Sequence, residues 1–458
     1  MRPLFLHCFT SSKKILPDFS VFFRIFGETI QKQSMKYFIK IQILIIFSEL
    51  SCPAFSVDFS KYFEDRTLRV DYIRTGNAKK NTVNAVTFSQ KSGQWAGSTV
   101  NLLDPFNYGS FRVLVKDAAT GTDLYSRTYS TLFGEYAATP AGKKKIADFE
   151  ETVLIPYPQN SIEIHFQERD KERNFYTQKV TVFDPRTAKV TPKNSEYKAR
   201  KLHYSGDSHC KLDVVIVADG YTENDSEKMA KDFEIFTEGL FKYSPYKEHK
   251  GDFNVWGIPA ISKDSGITNP QKGKKLNTAV GSSFNVFDIQ RYIMTLCIHR
   301  LHDVINDAPY EQVIIMSNTK EYGGGAIYNF YADVVTSEQA PFIIAHEFGH
   351  TFAGLADEYV DPDISYDEIH DLNTEPLEPN ITSLVNFGAK WKDMLDSDTP
   401  IPTPVGSKYL NKVGVYEGGG YRKKGMYRPM IRCMMGTGGN FCPVCRKAIN
   451  DMFGIYTR

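Results

Sequence analysis

The sequence predicts an all-β sandwich domain followed by an α/β domain. Three observations carry this reading. Across residues 57–185, short runs of alternating apolar and polar residues recur between turn signals. From Lys211 the pattern changes to a continuous apolar run, LDVVIVADGYT, followed by residues of helical period. Further on, the uncharged run Phe342-Ile343-Ile344-Ala345 leads into His346, Glu347 and His350. That spacing sets both imidazoles about 40° apart on one face of a helix whose neighbours are core residues.

The chain has 458 residues, 41% hydrophobic and 24% charged, enough to bury sizeable cores. Its net charge of +1, with no tract of Lys and Arg interleaved with aromatics, excludes nucleic acid as the expected partner. A start-like segment begins at Met35: Lys36 and Lys40 form a basic flank, residues 41–47 an apolar stretch, and Ala54-Phe55-Ser56 a small-residue cleavage site. Residues 1–34 therefore read as an upstream extension and 35–56 as a signal peptide. The mature chain would begin near Val57 and be exported to the periplasm, the cell surface or the medium. Leu50-Ser51-Cys52 offers a lipid anchor at Cys52 as the alternative, although Glu49 stands where an apolar residue is wanted. No other stretch approaches the roughly 20 apolar residues of a membrane span.

In order, the alternating runs are TLRVDYIR, STVNLL, SFRVLVKD, DLYSRTYS, ETVLIPYP, SIEIHFQER and YTQKVTVFD, the strands of a sandwich over 57–185. Residues 186–204, with Pro192 and a basic cluster, read as a linker. The second domain, 205–458, takes strands from LDVVIVADG, NVWGI and QVIIMS, and helices from ENDSEKMAKDFEIFTEGLF and from 287–305, the latter with Cys297 on its apolar face. Gly323-Gly324-Gly325 is either a flexible turn or the approach to a strand on which an extended peptide can add, since glycine lets another backbone come close. In an exported chain the five downstream cysteines, Cys210, Cys297, Cys433, Cys442 and Cys445, predict one or two disulfides and at least one free thiol, centred on the last three. A structural zinc there lacks a fourth ligand in the local sequence.

The helix around His346 carries the chemistry. Zinc takes neutral imidazole nitrogens, needs three protein ligands and an open position for water, and works beside a carboxylate that accepts that water's proton. His346 and His350 supply two ligands and Glu347 the base. The competing reading, a buried histidine pair without a metal, leaves three polar groups on a buried helix unsatisfied. Gly354 can end the helix in a left-handed turn, and Asp357, three residues later, is the expected third ligand. Glu358 is the runner-up, with Asp361, Asp363 and Glu368 more remote.

The His346–Asp357 segment resembles the metzincin arrangement, with the interval from second histidine to glycine one residue longer and Asp in place of the third His. Cys433-Met434-Met435-Gly436 resembles the Met-turn beneath metzincin zinc sites. Together with ADGYT, HEFGHTFAGLADEY, EPNIT, KWK, PIPTP, YEGGGYRKKGMYRP, FCPVCR and, earlier, YSRTYSTLFGEY, these residues make the chain resemble the IgA-peptidase family of secreted bacterial zinc metallopeptidases from Val57 onward. The resemblance implies an α/β metzincin-like zincin catalytic domain behind the all-β sandwich, Zn2+ as cofactor, Met434 and Met435 in the floor of the site, and Tyr421 or Tyr427 as the donor to a developing oxyanion. The expected function is a monomeric, secreted zinc endopeptidase acting on proteins or peptides, host glycoproteins among them. Immunoglobulin A itself does not transfer as substrate on resemblance. The alternatives are a surface protein that binds host glycoprotein through a degenerate peptidase domain, and a zinc exopeptidase or amidase on small peptides.

Overall fold

Period-two alternation builds the first part of the molecule. The computed structural model describes residues 57–361 and 370–457. The expected extension 1–34, the signal peptide 35–56, Asp363 and Glu368 lie outside the described residues. From the start the elements are α1 (Phe59–Tyr62), β1 (Phe63–Asn77), β2 (Lys80–Gln90), β3 (Phe111–Asp117), β4 (Asp123–Tyr129), α2 (Leu132–Ala138), β5 (Ala147–Pro158), β6 (Ile162–Arg169), β7 (Phe175–Phe183) and β8 (Val190–Pro192). They form two four-stranded sheets, ordered β5-β1-β2-β8 and β4-β3-β6-β7. Their inward residues, among them Leu68, Val70, Val113, Val115, Ile155 and Phe166, share one core.

Two readings of this region are corrected. Residues 98–103 form no strand, because the Ser98 hydroxyl accepts from the Val100 and Asn101 N–H groups and turns the chain out of a ladder. Strand β2, whose mostly polar sequence KNTVNAVTFSQ is not among the alternating runs, pairs with β1 from Leu68 to Asn77, so backbone pairing outweighs its weak alternation. The linker segment 186–204 contributes strands to both halves: β8 runs parallel to β2, and β9 (Arg200–His203) pairs antiparallel with β11 (Phe253–Ile258).

The second part is a mixed sheet. After β10 (Leu212–Asp219), α3 (Ser226–Leu240) and β11 come β12 (Ser282–Ser283), β13 (Met294–Thr295), α4 (Ile298–Val304), β14 (Gln312–Ser317), β15 (Gly324–Ile327) and β16 (Tyr331–Val335). Its order is β15-β16-β14-β10-β11-β9, with the inner strands parallel and the two edges antiparallel. Every residue of β10 is buried, as expected of a strand covered on both faces. Leu212, Val214, Ile216 and Ala218 pack toward α3, α5 (Ala340–Ala353) and the C-terminal helix. Val215 and Val217 join the core of the β-rich part. Residues from Val57 onward consequently pack as one unit.

The helix expected over 287–305 shrinks to α4, because Phe287 and Asp288 hold positive φ, Met294 and Thr295 pair as β13, and Cys297 caps the helix. The remaining elements are β17 (Tyr416–Gly419), β18 (Arg422–Arg428) and α6 (Pro443–Tyr456). Among the described residues, no helix is long and apolar enough to cross a membrane.

Candidate metal centre

Helix α5 begins with Pro341 in its first turn and buries Ile343, Ile344, Phe348 and Phe352. Its opposite face carries His346, Glu347 and His350. The helix stops at Gly354, whose φ of 61° is the left-handed cap, and the chain turns back across the helix end. Asn380 then holds this return segment: its side chain accepts from Ala356 N (2.7 Å) and donates to Ala356 O (2.8 Å). Gly420 N donates to Asp357 O at 2.8 Å. Pinned from both sides, the extended backbone directs successive side chains in opposite directions. Asp357 faces the histidines, whereas Glu358 faces Cys433, Cys442 and Cys445.

Three atoms converge. His346 Nε2 lies 3.2 Å from His350 Nε2 and 3.1 Å from Asp357 Oδ1, and His350 Nε2 lies 3.5 Å from that oxygen. Tetrahedral zinc at about 2.0–2.1 Å from N and O ligands sets neighbouring ligand atoms about 3.3 Å apart, which matches all three edges. The protonation pattern fits as well. Each Nδ1 faces a carbonyl that can only accept, Met434 O for His346 (3.0 Å) and Leu355 O for His350 (2.5 Å). Each Nδ1 therefore carries the proton, and each Nε2 presents a lone pair to the same point. Among the described residues, Asp357 Oδ1, in a residue only 7% exposed, has no hydrogen-bond donor apart from these two rings. Three lone pairs gathered without a proton between them repel unless a cation sits among them. Without one, burial and the Asp357 carboxylate act on His350 in opposite directions, and the carboxylate prevails, raising it to about 9. A proton then takes the place of the ion.

Tyr421 is brought into the site. It sits at a positive φ of 65°, and its hydroxyl donates to Asp357 Oδ2, the oxygen turned away from the histidines. Its ring packs edge-on to Tyr359 at 5.3 Å. Tyr427 is not brought in: on β18 it exchanges backbone hydrogen bonds with Thr382, and its hydroxyl makes no bond to His346, His350, Asp357 or Glu347 among the described residues. Asp361 pairs with Arg291 at 3.1 Å and is not part of the His346, His350 and Asp357 group. Met434 and Met435 are fully buried beneath the helix. Met434 orients His346 through its carbonyl, and a Cβ on Gly349 would meet Met435 Sδ at 3.1 Å, so the glycine inside the histidine motif lets the helix settle onto that methionine.

Glu347 stands beside these three residues. Burial raises its carboxyl above the usual range, opposed by His346 and His350. Gly324 packs directly on it: a Cβ there would lie 2.6 Å from Glu347 Oε1. The same holds along the triple glycine, since a Cβ on Gly323 would meet Phe284 and Arg291 O, and one on Gly325 would meet Tyr292 and Met294. Gly323-Gly324-Gly325 is thus a close-packed seam and not a flexible turn, and Arg291-Tyr292 covers part of its edge. Sequence reasoning missed the next link: the Tyr292 hydroxyl donates to Glu135 on α2 at 2.5 Å, fastening this seam to the β-rich part. A lone Glu in YSTLFGEY gave no signal of that long-range contact.

The family model described as IgA Peptidase M64 matches residues 201–412 and 405–453. The model described as Peptidase M64 N-terminus matches residues 58–179. No curated protein matches the chain.

Proposed function

The chain belongs to the IgA Peptidase M64 family and is on that ground a metallopeptidase, and from this premise we propose an exported zinc endopeptidase with a metzincin-like catalytic domain behind a β-sandwich. The observation that carries the reading is the convergence of His346 Nε2, His350 Nε2 and the buried Asp357 Oδ1 at zinc-ligand spacing. These three atoms would hold the ion. Bound there, zinc supplies Lewis-acid polarisation of a carbonyl and acidifies water.

The chain's own groups do the rest. Glu347 accepts a proton from the attacking water and returns it to the leaving amine nitrogen. Met434 O and Leu355 O keep both imidazoles in the tautomer that ligates. Tyr421 holds Asp357 through its second oxygen; we assign it this orienting role in place of the expected oxyanion contact. The seam at Gly324 confines the Glu347 carboxylate. Two four-stranded sheets with a common core support the sandwich reading, and export rests on the sequence of residues 35–56.

The test is a cleavage profile of proteome-derived peptides with the purified chain, with and without a zinc chelator. Internal cuts that vanish on chelation and return with zinc support the endopeptidase. Removal of terminal residues alone would make it an exopeptidase, and no cutting at all would favour the binding protein.

A further inference from the structure

We propose that Glu358, Cys433, Cys442 and Cys445 form a second metal site, a structural zinc centre separate from the histidine site. The four residues come from three places: the return segment after α5, the Met434-Met435 turn, and the first turn of α6. All four are buried, and one ligand atom from each lies within 4.8 Å of the others. The sequence supplied three sulfurs and no local fourth ligand; the fold supplies Glu358.

The distances suit a metal and not a crosslink. Cys433 Sγ and Cys445 Sγ are 3.7 Å apart. Tetrahedral zinc with Zn–S of about 2.3 Å places its sulfurs about 3.8 Å apart, whereas a disulfide needs about 2.05 Å. Cys445 Sγ is 3.1 Å from Glu358 Oε1, which also accepts from Asn380 Nδ2 at 2.9 Å. The other oxygen, Oε2, is buried without any hydrogen-bond partner among the described residues, in a residue 1% exposed. A carboxylate so placed among three thiols is costly unless a cation joins it. The sulfurs are also arranged as acceptors: Cys442 N points at Cys433 Sγ (3.4 Å), and Cys445 N points at Cys442 Sγ (3.5 Å) across the start of α6. Backbone N–H groups aimed at sulfur stabilise thiolates, the form that binds metal. Three thiolates and one carboxylate select a tetrahedral, thiophilic divalent ion, zinc, over magnesium or calcium.

The position gives this centre a task. Glu358 follows Asp357, and Cys433 precedes Met434, whose carbonyl fixes His346. Glu358 N also donates to Met435 O at 2.5 Å. One ion bound to Glu358 and Cys433 ties together the two segments that place a ligand and orient another. It acts on the histidine site only through them.

The experiment counts zinc in the full chain and reads the spectrum of its cobalt-substituted form. Wild type is expected to hold two zinc ions per chain. The double variant His346→Ala/His350→Ala is expected to keep one, and its cobalt form to show sulfur-to-cobalt charge-transfer absorption. Adding Cys442→Ser to that variant should remove both the ion and the band. Should the serine variant fail to fold, thiol reactivity of the wild type decides: three thiols should be protected until zinc is chelated. A disulfide between any two of the three cysteines, or a double variant without metal and without the band, overturns the proposal. Because the double variant lacks the histidine site, its result is independent of whether the chain is a peptidase.

Discussion

Gly324→Ala separates the fold from the chemistry. A Cβ at this position lies 2.6 Å from Glu347 Oε1, 3.3 Å from Glu347 Cδ and 3.2 Å from Ile343 Cγ2. Relaxed contacts between such atoms run near 3.5 Å, so the carboxylate must retreat by about 1 Å. The retreat is cheap for the fold, because the obstructing atom ends a flexible side chain and Gly324 is not among the glycines at positive φ. Stability should change by no more than about 1 kcal/mol. It is expensive for proton transfer, since a misplacement of about 1 Å costs on the order of 100-fold, or about 2.7 kcal/mol of barrier. The assay is kcat and KM on a fluorogenic peptide built from a mapped cleavage site, beside zinc content and melting temperature. The expected outcome is kcat lowered about 100-fold with zinc and melting temperature retained. Wild-type kcat would refute the argument that Gly324 confines the base, and a raised KM at unchanged kcat would show that the methyl group blocks substrate instead.

Three other outcomes follow from particular contacts. Tyr421→Phe removes the donor to Asp357 Oδ2 and should weaken zinc retention against a competing chelator about 10- to 100-fold; unchanged retention with reduced kcat would assign the hydroxyl to the oxyanion. Gly349→Ala places a Cβ 3.1–3.3 Å from Met435 Sδ, Phe441 Cε1 and Leu355 Cδ1, so overpacking should exceed the gain in helix propensity and lower stability by about 1 kcal/mol in denaturant unfolding. Lys91 is 3% exposed, and burial, partly offset by Asp307 and Asp213, lowers its ammonium to about 7. Its folded value lies below its unfolded one, so the unfolded chain binds more protons between about pH 7 and 10, and stability rises with pH there. From pH 7.5 to 9 wild type should gain up to about 2 kcal/mol relative to Lys91→Met, and parallel denaturation profiles would contradict this.

The helix Ala340–Ala353 was legible because its signal is local: the apolar run, the histidine spacing and Gly354 all lie within one helix and its cap. The choice of Asp357 over Glu358 rested on its interval from Gly354, and the structure turns the two side chains to opposite sides, with Asp357 toward the histidines. What escaped sequence reading depends on distant partners. Strand β2 is specified by its pairing with β1 more than by its own alternation. The helix over 287–305 was shortened by two residues of positive φ, Phe287 and Asp288, and by the β13 pairing, in a stretch that looks helical by period. Gly323-Gly324-Gly325 is dictated by Phe284, Tyr292, Met294 and Glu347, none of them sequence neighbours. Glu358 as the companion of Cys433, Cys442 and Cys445 required the fold to bring two remote segments together.

The most direct measurement of the account is zinc content and peptide cleavage for Glu347→Gln. The substitution leaves His346, His350 and Asp357 in place and removes only the group that accepts the proton. The account predicts zinc content equal to wild type with turnover reduced by a factor of about 100 to 10,000. Wild-type turnover in that variant would contradict it.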